Sequence, residues 1–234
     1  MRLMVCPRKK VPDFVEAPVT HFVSLIDPDE VNTFLQPPHH TRQRLQLVFH
    51  DLDDIEMTLP RYAKYSAPTE SHVLSLVDFG KQMAPLDDWG LLTHCEAGIS
   101  RSTAAAITLL VSAGYAPQVA FGLVRKACPQ MLPNRRILRI ADTLLGTGGK
   151  LHNMAQTYRH KAFLRAGYED PTNVLLREAT AARPTSRKNV LDRLFAFLRP
   201  GWRNRVGTGA KMRGIDLQQT ARDRRAAGKQ TTSS

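Results

Sequence analysis

The residues from His94 to Ser102 are of the types that could hold a phosphate dianion above a thiolate. Cys95 supplies a sulfur nucleophile, and Arg101, six residues later, can present a planar guanidinium fork to two phosphate oxygens. The short loop between them leads into a helix-compatible segment. Its backbone N–H groups and the helix dipole would therefore face the anion and favour the thiolate form of Cys95. Gly98 permits the tight turn.

Other residues of this loop would support the same chemistry. Ser102 can donate a hydrogen bond to the sulfur and help the thiolate leave when a phosphoenzyme breaks down. His94 is expected to orient the loop rather than to transfer protons. The residues expected to contact the phosphate are Glu96, Ala97, Gly98, Ile99, Ser100 and Arg101.

The stretch from His94 to Thr103 resembles the active-site loop of the cysteine-based protein tyrosine phosphatases, most closely that of the dual-specificity branch. A second stretch, Cys128 to Leu138, resembles the segment after the catalytic helix of dual-specificity phosphatases, where a Pro-Asn pair opens a helix. The resemblance implies that Asn134 braces the loop. Residues 1 to about 150 also resemble small bacterial tyrosine-phosphatase-like proteins. The family's chemistry is two-step hydrolysis through a cysteinyl-phosphate, with no metal or cofactor.

That chemistry also needs a general acid, usually an Asp on a loop that follows a strand upstream of the nucleophile. Asp51 directly follows such a strand-like run and is the favoured candidate, with Asp54 and then Asp53 as alternatives. Asp51 precedes the nucleophile by 44 residues, more than in typical dual-specificity enzymes. The apparent insertion, 59–68, could shape a substrate wall. No separate Gln for positioning water can be assigned, which leaves Ser102 and the acid to serve the second step.

The elements that must position these residues alternate between strands and helices. Short β-rich runs are found at 3–6, 21–26, 44–49 and 89–94, and helix-compatible segments at 70–79, 103–113, 117–127 and about 135–145. The loop that carries the cysteine lies between the fourth run and the second of these helices. This alternation predicts an α/β fold with a single central mixed or parallel sheet flanked by helices, a three-layer arrangement of the phosphatase type.

Composition and charge divide the chain into a body and a tail. The 234 residues are 42% hydrophobic, enough to bury a core. Residues 1–170 hold 19 Lys and Arg against 17 Asp and Glu, whereas residues 171–234 hold 14 against 4. We expect a catalytic domain at 1–150, a helical extension at 151–170, and then a basic, partly disordered tail with an amphipathic segment at 189–199. Such a tail predicts an anionic partner, whether nucleic acid, acidic lipid or acidic protein.

The sequence predicts a cytoplasmic protein with reduced thiols. The longest apolar stretch, 104–116, is shorter than the roughly 20 residues that a membrane span needs. The N-terminus lacks the apolar region of a secretory signal. Three cysteines are too few for a disulfide framework, and no metal-ligand spacing occurs. Cys6 and Cys128 are expected to be buried thiols, with a redox pair to Cys95 as the alternative.

The resemblance favours a phosphorylated protein as substrate, with phosphotyrosine first and phosphoserine or phosphothreonine also accepted. The side chains from Glu96 to Ser100 include no Lys or Arg, which argues against inositol polyphosphates and phosphoinositides. An RNA 5′-phosphatase is one alternative, since the arginines of the tail suit a phosphate backbone. The other is a non-catalytic phosphoprotein-binding or scaffold protein tethered by its tail. The sequence does not predict an oligomeric state.

Overall fold

Four parallel strands form the centre of the molecule in a computed structural model of the chain. The structure describes residues 2–31, 35–84, 86, 88–169, 173 and 215–216. The strands are β1 (Arg2–Pro7), β2 (His21–Ile26), β3 (Gln43–Val48), β4 (Gly90–Cys95) and β5 (Ile215–Asp216). The sheet has the order β3-β2-β4-β1-β5, and only β5 is antiparallel to its neighbour. The predicted α/β class with one central sheet is confirmed.

Six α-helices accompany the sheet in the described residues. They are α1 (Asp54–Met57), α2 (Glu70–Met83), α3 (Arg101–Ser112), α4 (Pro117–Ala127), α5 (Arg135–Leu145) and α6 (Lys150–Arg165). Short 3₁₀ helices lie at Arg8–Phe14, Pro28–Glu30 and Pro60–Tyr62. The helices contribute most of the apolar side chains that pack in the core.

Local chemistry accounts for the main elements. Every residue of β2 and of β4 is buried, as expected for the two inner strands of a parallel sheet covered on both faces. Thr69 caps α2, where it accepts the N–H of His72. Asn134 caps α5 in the same way through Ile137, and α5 ends at a left-handed Gly146.

The strand order brings distant parts of the chain to one edge of the sheet. Because β1 and β2 both pair with β4, the residues that follow these strands meet at their carboxyl ends. Asp27 follows β2, Phe49 follows β3, and Cys95 is the last residue of β4. In open α/β sheets this edge is where ligands bind.

The chain divides into two compact units, Met1–Arg159 with Arg213–Ser234, and His160–Met212. The sheet and α1 to α5 belong to the first unit. The predicted amphipathic segment at 189–199 lies outside the described residues, as does nearly all of the tail at 171–234. None of the helices in the described residues has both the length and the apolar character needed to cross a membrane. The cytoplasmic location stays a prediction.

Two helical glycines provide a matched test of how α2 packs on α3. A Cβ at Gly80 would lie 2.6 Å from the Cβ of Ser112 and 2.7 Å from the carbonyl oxygen of Leu109, whereas a Cβ at Gly122 meets nothing within 4 Å. We expect Gly80→Ala to lower the free energy of unfolding by about 1–3 kcal/mol, because α2 and α3 must move apart. We expect Gly122→Ala to raise it by about 0.5–1 kcal/mol through better helix propensity. Urea unfolding of both variants measures the two changes, and equal effects would contradict the close packing.

Candidate active site

Cys95 lies at the bottom of the loop that follows β4. Its side chain is 1% exposed, and its Sγ is 3.2 Å from the Oγ of Ser102, the second residue of α3. The same sulfur accepts the backbone N–H of Gly98 at 3.2 Å. The structure therefore brings the predicted nucleophile and the predicted hydroxyl donor into contact. A thiolate at this position would be stabilised by both donors.

Gly98 is required both by its backbone conformation and by its neighbours. Its φ is +71°, in the left-handed region that favours glycine. A Cβ there would lie 2.2 Å from the backbone N of Pro7 and 2.4 Å from the carbonyl carbon of Cys6. The loop thus packs directly on the end of β1, and no other residue fits at this position.

Four of the loop's carbonyl groups accept hydrogen bonds from residues outside the loop. The acceptors and their donors are Glu96 with the N–H of Arg8 (3.4 Å), Gly98 with the thiol of Cys128 (3.4 Å), Ile99 with the N–H of Leu132 (2.8 Å) and Ser100 with the N–H of Ala104 (3.0 Å). By contrast, the N–H groups of Ala97, Ile99 and Ser100 donate to no acceptor in the described part of the chain. A loop with most of its carbonyls satisfied and several N–H groups open is the arrangement of an anion-binding nest.

Arg101 is buried, and its guanidinium is only partly satisfied. Nη1 donates to Asp27 Oδ1 at 2.8 Å and to the carbonyl oxygen of Phe49 at 2.6 Å, while Nη2 donates to Asp27 Oδ2 at 3.3 Å. A guanidinium has five N–H groups. One N–H on Nε and one on Nη2 therefore remain, and Nε is buried with no partner among the described residues. These two N–H groups share one edge of the planar group, the fork that suits two oxygens of a phosphate.

Asp27 holds Arg101 in place, and sequence reasoning did not identify it. Burial works against the charge of Arg101, but the negative charges of Asp51, Cys95 and Asp27 outweigh it and raise the pKa of Arg101. Asp27 directly follows the apolar run of β2. The sequence signal for Asp27 was its position directly after a buried strand. That signal became informative only with the strand order, which places β2 beside β4 and so brings Asp27 near Arg101.

Asp51 faces the loop that carries the cysteine. Its Oδ1 accepts the hydroxyl of Ser100 at 2.7 Å and the side-chain N–H of Asn134 at 2.8 Å. Asn134 also donates to the carbonyl oxygen of Leu52 at 3.1 Å, while its own oxygen accepts the N–H of Ile137 at the start of α5. Asn134 therefore braces the segment of Asp51 against α5. The carboxylate itself is exposed, so a substrate can reach it.

Asp53 and Asp54 are committed to arginines of α5. Asp53 pairs with the Nε of Arg135 at 2.6 Å, and Asp54 pairs with both Arg136 and Arg139. Burial works against ionisation of Asp54, but hydrogen bonds from Arg139 and Arg136 outweigh it and lower the pKa of Asp54. Of the three candidate acids, only Asp51 has a described hydrogen bond to the loop. The arginines of α5 thus hold the segment that carries the three candidate acids by ion pairs, a role not anticipated from the sequence.

His94 packs behind the loop as a neutral ring. It is fully buried, it stacks on Phe22 with ring centroids 5.3 Å apart, and neither ring nitrogen has a partner among the described residues. Burial, helped by the charges of Arg8 and Arg101, lowers the pKa of His94 to about 4. This environment is unsuited to proton transfer near neutral pH. Any orienting effect on the loop must come from packing.

The other two cysteines lie close to the loop and remain thiols. Burial, and then the negative charge of Cys95, raises the pKa of both Cys6 and Cys128 to about 12. Both side chains are buried, and all three cysteines are free. A thiol with so high a pKa is a poor nucleophile. Cys95 is therefore the best candidate for a nucleophile among the three.

Comparison with known proteins gives structural likeness only. No protein-family profile matches the chain, and no curated protein sequence matches it. The human tyrosine phosphatase-like serine/threonine/tyrosine-interacting protein has 21% identity and a TM-score of 0.41, over 62% of this chain and 91% of that one. A mouse putative dual specificity phosphatase has 18% identity and a TM-score of 0.44, over 67% and 86%. Human DUSP28 has 16% identity and a TM-score of 0.42, over 66% and 94%.

The likeness to these three structures concerns the fold alone. The expected likeness to small bacterial proteins stays a prediction.

The buried neutral His94 predicts a defined loss of stability in acid. The folded pKa of His94 is about 4, below its ordinary value of 6.5, so the unfolded chain binds the proton first. The resulting loss in the free energy of unfolding is absent above pH 6.5 and grows as the pH falls toward 4, where it reaches about 3 kcal/mol. We expect His94→Gln to lack this dependence. Urea unfolding of both proteins between pH 7 and 4 measures it as a difference in slope.

Comparing the two proteins removes the contribution of Glu56, which has the opposite sign. Burial raises the pKa of Glu56 to about 7, so this group adds stability as the pH falls. It is present in both proteins and cancels in the difference. Parallel stability curves for wild type and His94→Gln would contradict the buried neutral ring.

Proposed function

We propose that the chain is a phosphatase that hydrolyses phosphate monoesters through a cysteinyl-phosphate, with phosphotyrosine in proteins as its main substrate. The observation that carries the proposal is the open N–H edge of Arg101, held by Asp27 in the loop that also seats Cys95. A buried donor pair without a partner is costly unless a ligand takes it. A phosphate dianion above the sulfur satisfies both N–H groups.

In the first step the thiolate of Cys95 attacks phosphorus in line with the leaving oxygen. The S–P bond forms as the P–O bond to the leaving group breaks, and Asp51 donates its proton to that oxygen. The charge on the equatorial oxygens is taken by the fork of Arg101 and by the open N–H groups of the loop. Preorganised donors of this kind supply most of the stabilisation in phosphoryl transfer.

In the second step water attacks the cysteinyl-phosphate. Asp51, now ionised, accepts the proton of the water, and the S–P bond breaks as the new P–O bond forms. Ser102, whose Oγ lies 3.2 Å from Sγ, donates to the departing thiolate. Inorganic phosphate and the free thiolate are the products, so atoms and charge balance.

The depth of Cys95 and the surface beside Asp51 support an aryl substrate. With Cys95 only 1% exposed, the phosphoryl group must reach well into the loop, which an ester of tyrosine does more easily than an ester of serine. Tyr65 packs edge-on against His50 with centroids 4.8 Å apart, and His50 adjoins the acid. Tyr65 belongs to the predicted wall at 59–68, and its ring together with that of His50 would contact a substrate ring.

Glu96 argues against substrates with several phosphates. Its side chain is exposed in the loop and adds negative charge at the mouth of the site. The RNA 5′-phosphatase alternative depends on the tail, which lies outside the described residues. A purely phosphoprotein-binding role would not require Asp51 to be held beside the loop by Ser100 and Asn134.

Hydrolysis of a phosphotyrosyl peptide against pH, with chelator and reductant present, tests these roles. We expect Cys95→Ser to be inactive and Asp51→Asn to lose about 10²–10⁴-fold in kcat/KM together with the basic limb of the profile. Asp53→Asn and Asp54→Asn are the matched controls, and both should keep the basic limb because these residues pair with α5 instead.

Two results would contradict the assignment. If Asp51→Asn keeps the basic limb while Asp54→Asn or Asp53→Asn loses it, the acid has been assigned wrongly. If the reduced wild-type protein turns over neither this peptide nor an aryl phosphate, the chain is not a phosphatase for such esters.

A further inference from the structure

A cavity of about 520 Å³ lies at the edge of the sheet opposite to Cys95. It is lined by residues at or just before the first positions of all four parallel strands. Among them are Arg2 at the start of β1, Thr20 before β2, His40, Thr41 and Arg42 before β3, and Trp89 before β4. Five residue steps of β4 separate this edge from Cys95, which is about 16 Å. The cavity is therefore distinct from the candidate active site.

The charge around the cavity is mainly positive. Arg2 and Arg42 are both exposed, and the structure gives neither an ion pair within the described residues. His39 also lines it and lies 3.1 Å from Glu16, and Asp88 contributes the one carboxylate of the lining. With two arginines in its lining, the cavity suits an anion with several oxygens, such as a phosphate, better than it suits a carboxylate.

Polar groups at this edge lack partners. The hydroxyl of Thr41, between His40 and Arg42, is buried and has no partner among the described residues. At the first position of β2, the Nε2 of His21 is likewise buried without a partner among the described residues. Burial and then the charge of Arg42 lower the pKa of His21. The positive charge of Arg42 thus acts on the first residue of β2. A ligand that accepts a hydrogen bond from the buried hydroxyl of Thr41 would remove the cost of leaving that hydroxyl unsatisfied.

We propose that this cavity is a second anion site that binds the phosphate group of a small phosphorylated molecule. The two arginines take the phosphate oxygens, and the hydroxyl of Thr41 donates to the same group. The volume exceeds what one phosphate ion needs and lies in the range of small-ligand pockets, so there is room for the organic part. Thr20 does not take part, because its Oγ1 already donates to and accepts from the backbone of Gly90.

Binding is measured by NMR on the full-length Cys95→Ser protein, which cannot turn over a phosphate ester. The indole N–H of Trp89 reports the cavity, and Trp202→Phe assigns it, since the chain has two tryptophans. Inorganic phosphate, a hexose 6-phosphate and a nucleoside 5′-monophosphate are titrated separately. We expect a saturable shift of the Trp89 signal, tighter for an ester than for phosphate if the organic part is also held.

Arg2→Gln and Arg42→Gln should each weaken this binding about tenfold, since each removes a charged hydrogen bond to the anion. Arg44→Gln is the matched control, because Arg44 is an exposed arginine of β3 that does not line the cavity, and it should bind as the parent does. The three arginines are exposed, and thermal melts verify folding.

Absence of a saturable Trp89 shift up to 20 mM of every probe (on the order of the weakest useful affinities) overturns the proposal. Equal binding by Arg42→Gln and Arg44→Gln overturns it as well.

Discussion

The site depends on keeping the buried guanidinium of Arg101 charged while leaving one of its hydrogen-bonding edges open. Burying Arg101 is costly, and Asp27 together with the carbonyl of Phe49 offsets that cost by taking three of its N–H groups. The remaining pair is then fixed in direction before any ligand arrives. Such preorganisation is what makes electrostatic stabilisation effective in catalysis, because the donors need not reorient when charge develops.

The fold meets this requirement by joining strands that are far apart in the sequence. Asp27 and Phe49 come from the ends of β2 and β3, and Arg101 begins the helix after β4. The loop in turn packs on β1 at Gly98, where no Cβ fits. The α5 helix completes the arrangement, since Asn134 at its N-terminus holds Asp51 against the loop. Each part of the site therefore rests on a different long-range pairing.

Local patterns predicted much of this arrangement. The four strand-like runs and the nucleophile loop depend on residues near in sequence, and β2 coincides with the predicted run at 21–26. Asp51 could be favoured but not separated from Asp53 and Asp54, because the distinction lies in the arginines of α5, more than 80 residues away. Asp27 was not predicted at all. Its role follows from β2 lying beside β4, which no local pattern contains.

The cavity at the opposite edge could not be predicted for a similar reason. In the sequence, nothing distinguishes Arg2 and Arg42 from other surface arginines. They line one cavity only because the sheet places the first residues of its four parallel strands side by side. The basic tail, by contrast, stays a prediction from charge alone. Its anionic partner is a question separate from both sites, since neither uses a residue of the tail.

Rapid acid quench of Ser102→Ala with an aryl phosphate, followed by peptide mapping, tests the central claim most directly. If Ser102 assists the departing thiolate, its loss slows breakdown of the intermediate, and a phosphoryl group accumulates on the peptide that carries Cys95. Cys95→Ser carried through the same procedure is the control and should give no phosphocysteine. Turnover by Ser102→Ala that slows without any phosphoryl adduct, or an adduct on another residue, would contradict the account.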